Sequence, residues 1–424
     1  MDRGSPQAQR RARSYGVMSR SGPAGSAALP RLADDNLVLV LVIGAGILSA
    51  FQVGKAPVAL QSLQIDLGAD LGAVSWVLSA FALVGAATSL LIGAVSDRVQ
   101  ARQAVTAGLL LQAAGSASGA LAESLPWLLA ARALEGLGFL AVTVAAPTMV
   151  VSSTMPRSRN RAFAAWATFM PVGMAVIMLA APLLGELGWR GLWWANAVVL
   201  AGYAALFAVG TSRPAVGTAS QVRHEALLRA LRDTLRSPAA WFLAAQFSAY
   251  TASFFALFGF LPSILRERLG VGEGAAGIMS AIAIAAGAVG CIACGHLLHR
   301  GFRASRLLVL GFSTIAFCSA GILLVPLPGE VAYALCVLFS FVGAFIPVVI
   351  FDAAPRLSPR HSLLGSVIGL ATQGNNLGIV VGPAVAGAIA GAAGWQWVVP
   401  PVVAIALAAA ASAYAYRHRL EAAR

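Results

Sequence analysis

Three ionisable side chains interrupt long apolar stretches of this 424-residue chain. Lys55, its only lysine, lies in one apolar run, and Arg132 and Glu135 lie three residues apart in another. Ionised groups inside a membrane helix each cost at least about 2.5 kcal/mol, so they are functional candidates by default. The two cations could attract an anion, and the carboxylate could take up and release a proton. At this spacing, however, Arg132 and Glu135 can also pair with each other, which lowers the cost without any function.

The composition indicates which elements must hold these charges. Hydrophobic residues make up 59% of the chain and charged residues 11%, whereas soluble proteins carry about 25% charged residues. A membrane helix needs about 20 mainly apolar residues. We therefore predict an all-α membrane protein with twelve transmembrane helices, near 37–63, 72–94, 104–121, 126–150, 162–186, 192–211, 239–263, 275–298, 307–326, 331–352, 363–392 and 397–416.

The arginines give the orientation of these spans. With the N-terminus inside, 24 arginines fall in cytoplasmic segments, and only Arg190, Arg266 and Arg268 fall in outer loops. This bias is what the positive-inside rule predicts for an even number of spans. We expect a multi-pass protein of a bacterial-type inner membrane, with both termini cytoplasmic. The net charge of +13 then reflects topology in the lipid bilayer and does not indicate nucleic-acid binding.

The chain divides into two similar halves at an offset near 200 residues, because Gly188-Trp189 matches Gly394-Trp395 and Pro147 matches Pro347. The predicted organisation is two pseudo-symmetric six-helix bundles joined by a linker. Its parts are a disordered basic cytoplasmic tail (1–35), the N-terminal bundle (36–211), a cytoplasmic linker with an amphipathic helix (212–238), the C-terminal bundle (239–416) and a C-terminal tail (417–424). The linker helix is expected either to lie on the anionic inner leaflet or to be solvated.

A charged clasp is predicted between spans 2 and 3. Gly93 permits close helix contact, Asp97 can accept hydrogen bonds from a helix N-terminus, and Arg98 and Arg102 can bind carboxylates or lipid phosphates. This segment resembles the G-x-x-x-D-R-x-G-R-[RK] signature of the major facilitator superfamily, although its later Gly and Arg are replaced here by Gln and Ala. The resemblance implies the fold of that superfamily and transport by alternating access.

Two further segments carry the resemblance. Arg132 to Gly138 is similar to the superfamily's R-x-x-Q-G-x-G element, with Glu135 in place of the usual glutamine. Ala181 to Gly185 is only faintly similar to the G-P-x-x-G-G element of drug–proton antiporters. The superfamily's first and fourth spans line the central cavity, which implies that Lys55, Arg132 and Glu135 face it.

The three charges are predicted to lie in one layer of the membrane. At 1.5 Å per residue, Lys55 lies about 15 Å from the outer end of span 1. Arg132 and Glu135 lie about 9 Å and about 13 Å from the outer end of span 4. An unpaired buried lysine would lose its proton, so Glu135 is its expected partner. We predict substrate binding by Lys55 and Arg132 and proton coupling by Glu135; the alternative is an ion-pair lattice that joins the two spans.

Uncharged polar residues in cavity-type spans could orient a substrate through hydrogen bonds. They could equally bond across helices, at about 1 kcal/mol each. For any single amide the second role is expected, as packing or interface anchoring is for Trp193. The candidates for substrate contact are Gln52, Gln246, Tyr250, Gln373, Asn375 and Asn376.

The sequence contains no motif that indicates an enzyme. The histidines have no metal-site spacing, Cys291 and Cys294 read as small core thiols, and no phosphate loop is present. We expect no enzyme activity, cofactor or metal, and a monomer. The preferred function is proton-coupled uptake of a small anionic solute. The alternatives are proton-coupled efflux of a drug or metabolite and, from another class, a membrane sensor that binds its ligand without moving it.

Overall fold

The computed structural model describes residues 36–95, 100–155, 159–180, 187–211, 224–360 and 363–421, in which every regular element is a helix. The helices of the first half, in chain order, are α1 (Asn36–Leu67), α2 (Leu71–Val95), α3 (Ala101–Ala120), α4 (Leu125–Ser152), α5 (Arg159–Ala167), α6 (Phe169–Ala180) and α7 (Gly188–Gly210).

The linker and the second half follow the same plan. The helices are α8 (His224–Leu235), α9 (Pro238–Phe258), α10 (Leu261–Leu269), α11 (Glu273–His299), α12 (Ala304–Leu324), α13 (Gly329–Gly343), α14 (Phe345–Leu357), α15 (Leu364–Ala393), α16 (Val399–Ala415) and α17 (Arg417–Glu421). A short 3-10 helix, Trp395–Val398, precedes α16.

Ten helical segments in the described residues are long and apolar enough to cross a membrane. The two remaining predicted spans correspond to α3 and to the pair α5–α6. α3 has 20 residues, but its glutamines and serines lower its mean hydropathy. Two of these polar side chains, Gln112 and Ser116, form hydrogen bonds inside the bundle. The predicted all-α fold with twelve membrane helices is therefore confirmed.

Three predicted spans are broken into two helices, each at a proline. Pro171, Pro262 and Pro347 each lie four residues after the last residue of a helix, namely Ala167 of α5, Phe258 of α9 and Gly343 of α13. Proline has no N–H to donate to the carbonyl four residues earlier, so the helical hydrogen-bond ladder is interrupted there. Each of these three breaks thus coincides with a proline.

The halves meet along α2 and α15, with further contact between α6 and α11. α15 also packs along α9, where Gly374, Gly378 and Gly382 bring the helix against the α9 backbone. Small residues at such spacing are typical of close helix contacts in membranes. The predicted linker helix is present as α8, which contacts α2, α9 and α15; Asp233 of α8 pairs with Arg360 at 3.0 Å.

Candidate functional site

The three charges of the apolar spans form one buried cluster, which we call the charged triad: Lys55, Arg132 and Glu135. Lys55 Nζ lies 2.7 Å from Glu135 Oε1, and an Arg132 guanidinium nitrogen lies 2.5 Å from Glu135 Oε2. Their exposed side-chain fractions are 0%, 1% and 0%. The predicted pairing of Lys55 with Glu135 is therefore present, together with the pairing along α4. In the described residues these are the only charged side chains that are buried.

Close backbone packing brings α2 and α3 against α4, the helix that carries Arg132 and Glu135. Gly115 of α3 leaves room for the Glu135 side chain, because a Cβ there would approach the Glu135 Cγ to 2.8 Å. One residue after Glu135, Gly136 lies against the carbonyl oxygen of Phe81 in α2. A larger residue at either glycine would push α4, which carries two of the three charges, away from α3 or α2.

The Lys55 ammonium has three partners. Besides Glu135 it donates to Ser116 Oγ at 2.8 Å, and it lies 4.4 Å from the centre of the Trp193 ring. Ser116 in turn donates to the carbonyl oxygen of Trp193 at 2.8 Å. Lys55 therefore has a neighbour for each of its three N–H donors.

The Arg132 guanidinium is likewise occupied. It donates to the carbonyl oxygen of Val77 at 2.9 Å and to that of Gln52 at 2.8 Å, and it lies 4.8 Å from the Phe81 ring. All these partners belong to helices of the first half. The structure thus places the triad among the helices of the N-terminal half. The sequence had instead predicted that these side chains face a central cavity.

The predicted amides lie apart from the triad, except Gln52. Gln52 contributes its carbonyl to Arg132, while its own fully buried amide has no hydrogen-bond partner in the structure. Gln246 donates to Ala409 and Ser412 of α16. Gln246 therefore joins two helices of the second half.

Gln373 and Asn376 lie on the contact between α2 and α15. Gln373 donates to the carbonyl oxygen of Ala86 at 2.8 Å, and Asn376 donates to Ser89 Oγ at 3.0 Å. Asn376 also fills the space beside Gly85, since a Cβ on that glycine would lie 2.5 Å from its amide. These two amides bond between the halves.

Tyr250 and Asn375 complete the predicted set. The carbonyl of Asn375 accepts from Thr251, while Tyr250 is half-buried in a row of aromatic rings on α9. The centre of its ring lies 6.5 Å from that of Phe247 and 5.8 Å from that of Phe254. An aromatic wall of this kind suits an apolar ligand better than an anion.

Part of the predicted clasp lies outside the described residues. This holds for Asp97 and Arg98, and also for the antiporter-like segment 181–186. Gly93 is in the last turn of α2. Arg102 donates to the carbonyl oxygen of Ala208 at 2.5 Å and to Thr211 Oγ1 at 3.2 Å, so it caps the C-terminal end of α7. The sequence suggested carboxylates or lipid phosphates as its partners.

Sequence reasoning missed Ser116 as a partner of Lys55, and it took Trp193 for a packing or interface residue. Trp193 is fully buried beside the lysine. No sequence signal pointed to Ser116: at 1.5 Å per residue it lies about 8 Å from the outer end of span 3, against about 15 Å for Lys55 in span 1. Which neighbouring helix faces the lysine depends on tertiary packing and could not be derived from depth.

Helices that can span a membrane many times define a polytopic membrane protein, and the sequence comparison names its family. A model of the Major Facilitator Superfamily matches residues 42–372, and the chain belongs to this superfamily. It is a multi-pass membrane transporter rather than an enzyme.

Among relatives, a chloramphenicol resistance protein of Streptomyces lividans is 28% identical over 388 residues, covering 87% of this chain and 93% of that protein. A puromycin resistance protein of Streptomyces alboniger is 33% identical over 163 residues, which is 38% of this chain and 32% of that protein.

A solved structure has the same fold. The inward-facing, unoccupied form of a bacterial homolog to the human lysosomal transporter Spinster aligns with a TM-score of 0.69 and 17% identity, over 92% of this chain and 98% of that one. At this identity the likeness concerns the fold.

Proposed function

We propose that this chain exports a small, largely apolar organic compound in exchange for protons. One observation carries the choice of substrate class. Both membrane-embedded cations are fully buried and occupied by Glu135, by carbonyl or hydroxyl oxygens and by aromatic rings. An incoming anion would have to displace these partners, at a desolvation cost for each charge.

The relatives support export. The chloramphenicol resistance protein matches nearly the whole chain, and the puromycin resistance protein matches part of it. Aromatic surface is also available to an apolar compound: half-buried Tyr250 and Phe169 lie at 5.8 Å and 6.4 Å from Phe254 and Phe139, respectively, in centroid distance.

Proton coupling is proposed because the triad is the one buried ionised group of the described residues. A group that changes protonation inside the membrane can bind a proton on one side and release it on the other, provided that access alternates. The antiport would then move protons inward and the compound outward.

The test uses bacteria that lack their own drug exporters. Expression of the chain is expected to raise resistance to chloramphenicol or puromycin, and everted vesicles should accumulate that compound when a proton gradient is imposed. Glu135→Gln should abolish accumulation. Glu123→Gln, the same change at an exposed outer carboxylate, is the control and should preserve it. If neither compound accumulates when the gradient is imposed, export of this compound class is contradicted.

Uptake of a small anion is the second candidate, favoured by the triad's net charge of +1. A counterflow assay distinguishes anion uptake from drug export. Right-side-out vesicles are loaded with an unlabelled carboxylate, and the labelled carboxylate is added outside. Uptake is supported if the wild-type protein shows counterflow of a carboxylate and the Lys55→Met variant does not. Carboxylate binding without counterflow would instead favour a sensor.

A further inference from the structure

We infer that Lys55, rather than Glu135, is the group of the triad that gives up and regains the transported proton. This assignment deepens the proposed function and rests on it, because it presupposes that protons are exchanged. It replaces the expectation that Lys55 binds substrate and Glu135 carries the proton.

The first reason is the environment of Glu135. Each of its two carboxylate oxygens bonds to a different cation, at 2.7 Å and 2.5 Å. One of these cations is an arginine, whose guanidinium does not lose its proton in proteins. Both carboxylate oxygens are therefore engaged as hydrogen-bond acceptors of cations.

The second reason is the charge of the buried site. With all three groups ionised, the triad carries a net charge of +1 at less than 2% exposure. Protonating Glu135 would raise this to +2 with no solvent contact, whereas removing a proton from Lys55 would give a neutral site. Because uncompensated buried charge is strongly unfavourable, the lysine is the cheaper group to titrate.

The third reason is that the lysine can be neutral without losing its hydrogen bonds. A neutral amine still has two N–H donors, enough for Glu135 Oε1 and Ser116 Oγ. Only the contact with the Trp193 ring, at 4.4 Å, requires the positive charge. Trp193 is thus a positioning residue that favours the charged form.

No other charged group of the described residues competes at this position. The helix α3 presents Ser116 and α7 presents Trp193 to the ammonium, while α4 presents the two other members of the triad. The remaining charged residues of these helices, including Arg102 and Arg190, bond near the helix ends.

The proton balance of one cycle follows. When the site opens inward, an Nζ–H bond breaks and the proton passes to water on that side, leaving the amine. When the site opens outward, the amine takes a proton from outer water and becomes the ammonium again. One proton moves inward per cycle, and no other group changes its charge.

The single lysine allows a direct measurement. Protein labelled with 15N-lysine and reconstituted in lipid nanodiscs has one Nζ resonance from the chain, and its position distinguishes ammonium from amine. We expect the amine to appear below about pH 9, where a solvated lysine remains charged. An ammonium signal that persists to about pH 9 would overturn the inference.

Two variants test the positioning role. Trp193→Leu removes the contact that needs the charge, so the transition should move to lower pH. Ser116→Ala removes a bond that both forms make, so it should move the transition less. Equal effects of the two variants would contradict the role of the ring.

A transport assay separates this inference from the proposed function. Lys55→Arg keeps a cation beside Glu135 but fixes its charge, so proton-driven accumulation should be lost. Accumulation that survives in Lys55→Arg would refute the lysine as proton carrier while leaving proton-coupled export standing. A titrating lysine in a protein that exports none of the probes would refute export instead.

Discussion

Glu135 is the acid between two buried cations, so its charge offsets one of the two positive charges. At a pH where Lys55 keeps its proton, Glu135→Gln leaves a net charge of +2 without exposure and should destabilise the protein by about 3–5 kcal/mol. Lys55→Met leaves the Arg132–Glu135 pair and a neutral site, so its cost should stay within about 1 kcal/mol. The double variant should therefore be more stable than Glu135→Gln alone.

Thermal unfolding in detergent ranks these variants, with Glu123→Gln as the control for the substitution type. A Glu135→Gln protein as stable as the wild type would show that the triad's charge balance does not govern stability.

The pairing of Lys55 with Glu135 was predictable, because a rise of 1.5 Å per residue fixes the depth of each side chain on its own helix. The rotation of each helix about its axis was not. That rotation directs Gln373 and Asn376 to the α2 helix instead of a ligand, and it places Trp193 over the lysine.

At the scale of elements, glycines set how closely helices approach one another. In Gly136→Ala the added methyl group would overlap the carbonyl oxygen of Phe81, and backbone cannot move aside without separating α2 from α4. We expect a loss of about 1–3 kcal/mol, as for overpacked cores. Gly202→Ala on α7 is the matched control, since nothing lies within 4 Å of the added atom.

The unfolding midpoint in detergent measures both variants. Similar midpoints for the two would show that α2 and α4 tolerate separation, and that the close approach at Gly136 does not hold them together.

The helix breaks show how far the local sequence determines where a helix ends. Pro262 and Pro347 end the preceding helices four residues earlier, as the missing N–H dictates. Yet Pro57 and Pro383 lie inside continuous helices. A proline therefore marks a candidate break, and packing against neighbouring helices decides whether the chain bends or continues.

The repeat becomes visible in the whole molecule. Trp189 donates to Asp66 at 3.2 Å at one end of the first half, and Trp395 donates to Glu267 at 3.0 Å in the second half. Each tryptophan follows a glycine with positive φ, Gly188 at 63° and Gly394 at 92°. The Gly-Trp match in the sequence indicated the repeat, but the acids that bond to these tryptophans were not predictable from it.

The orientation of the whole molecule is the last prediction, because the direction of transport depends on it. The arginine bias places residue 123 outside and residue 302 inside. The native cysteines Cys291, Cys294, Cys318 and Cys336 are buried, so an engineered exposed cysteine should react first. A membrane-impermeant maleimide should label Glu123→Cys in intact cells and Phe302→Cys only after permeabilisation. The reverse pattern would invert the topology, and with it the side on which Lys55 takes up its proton.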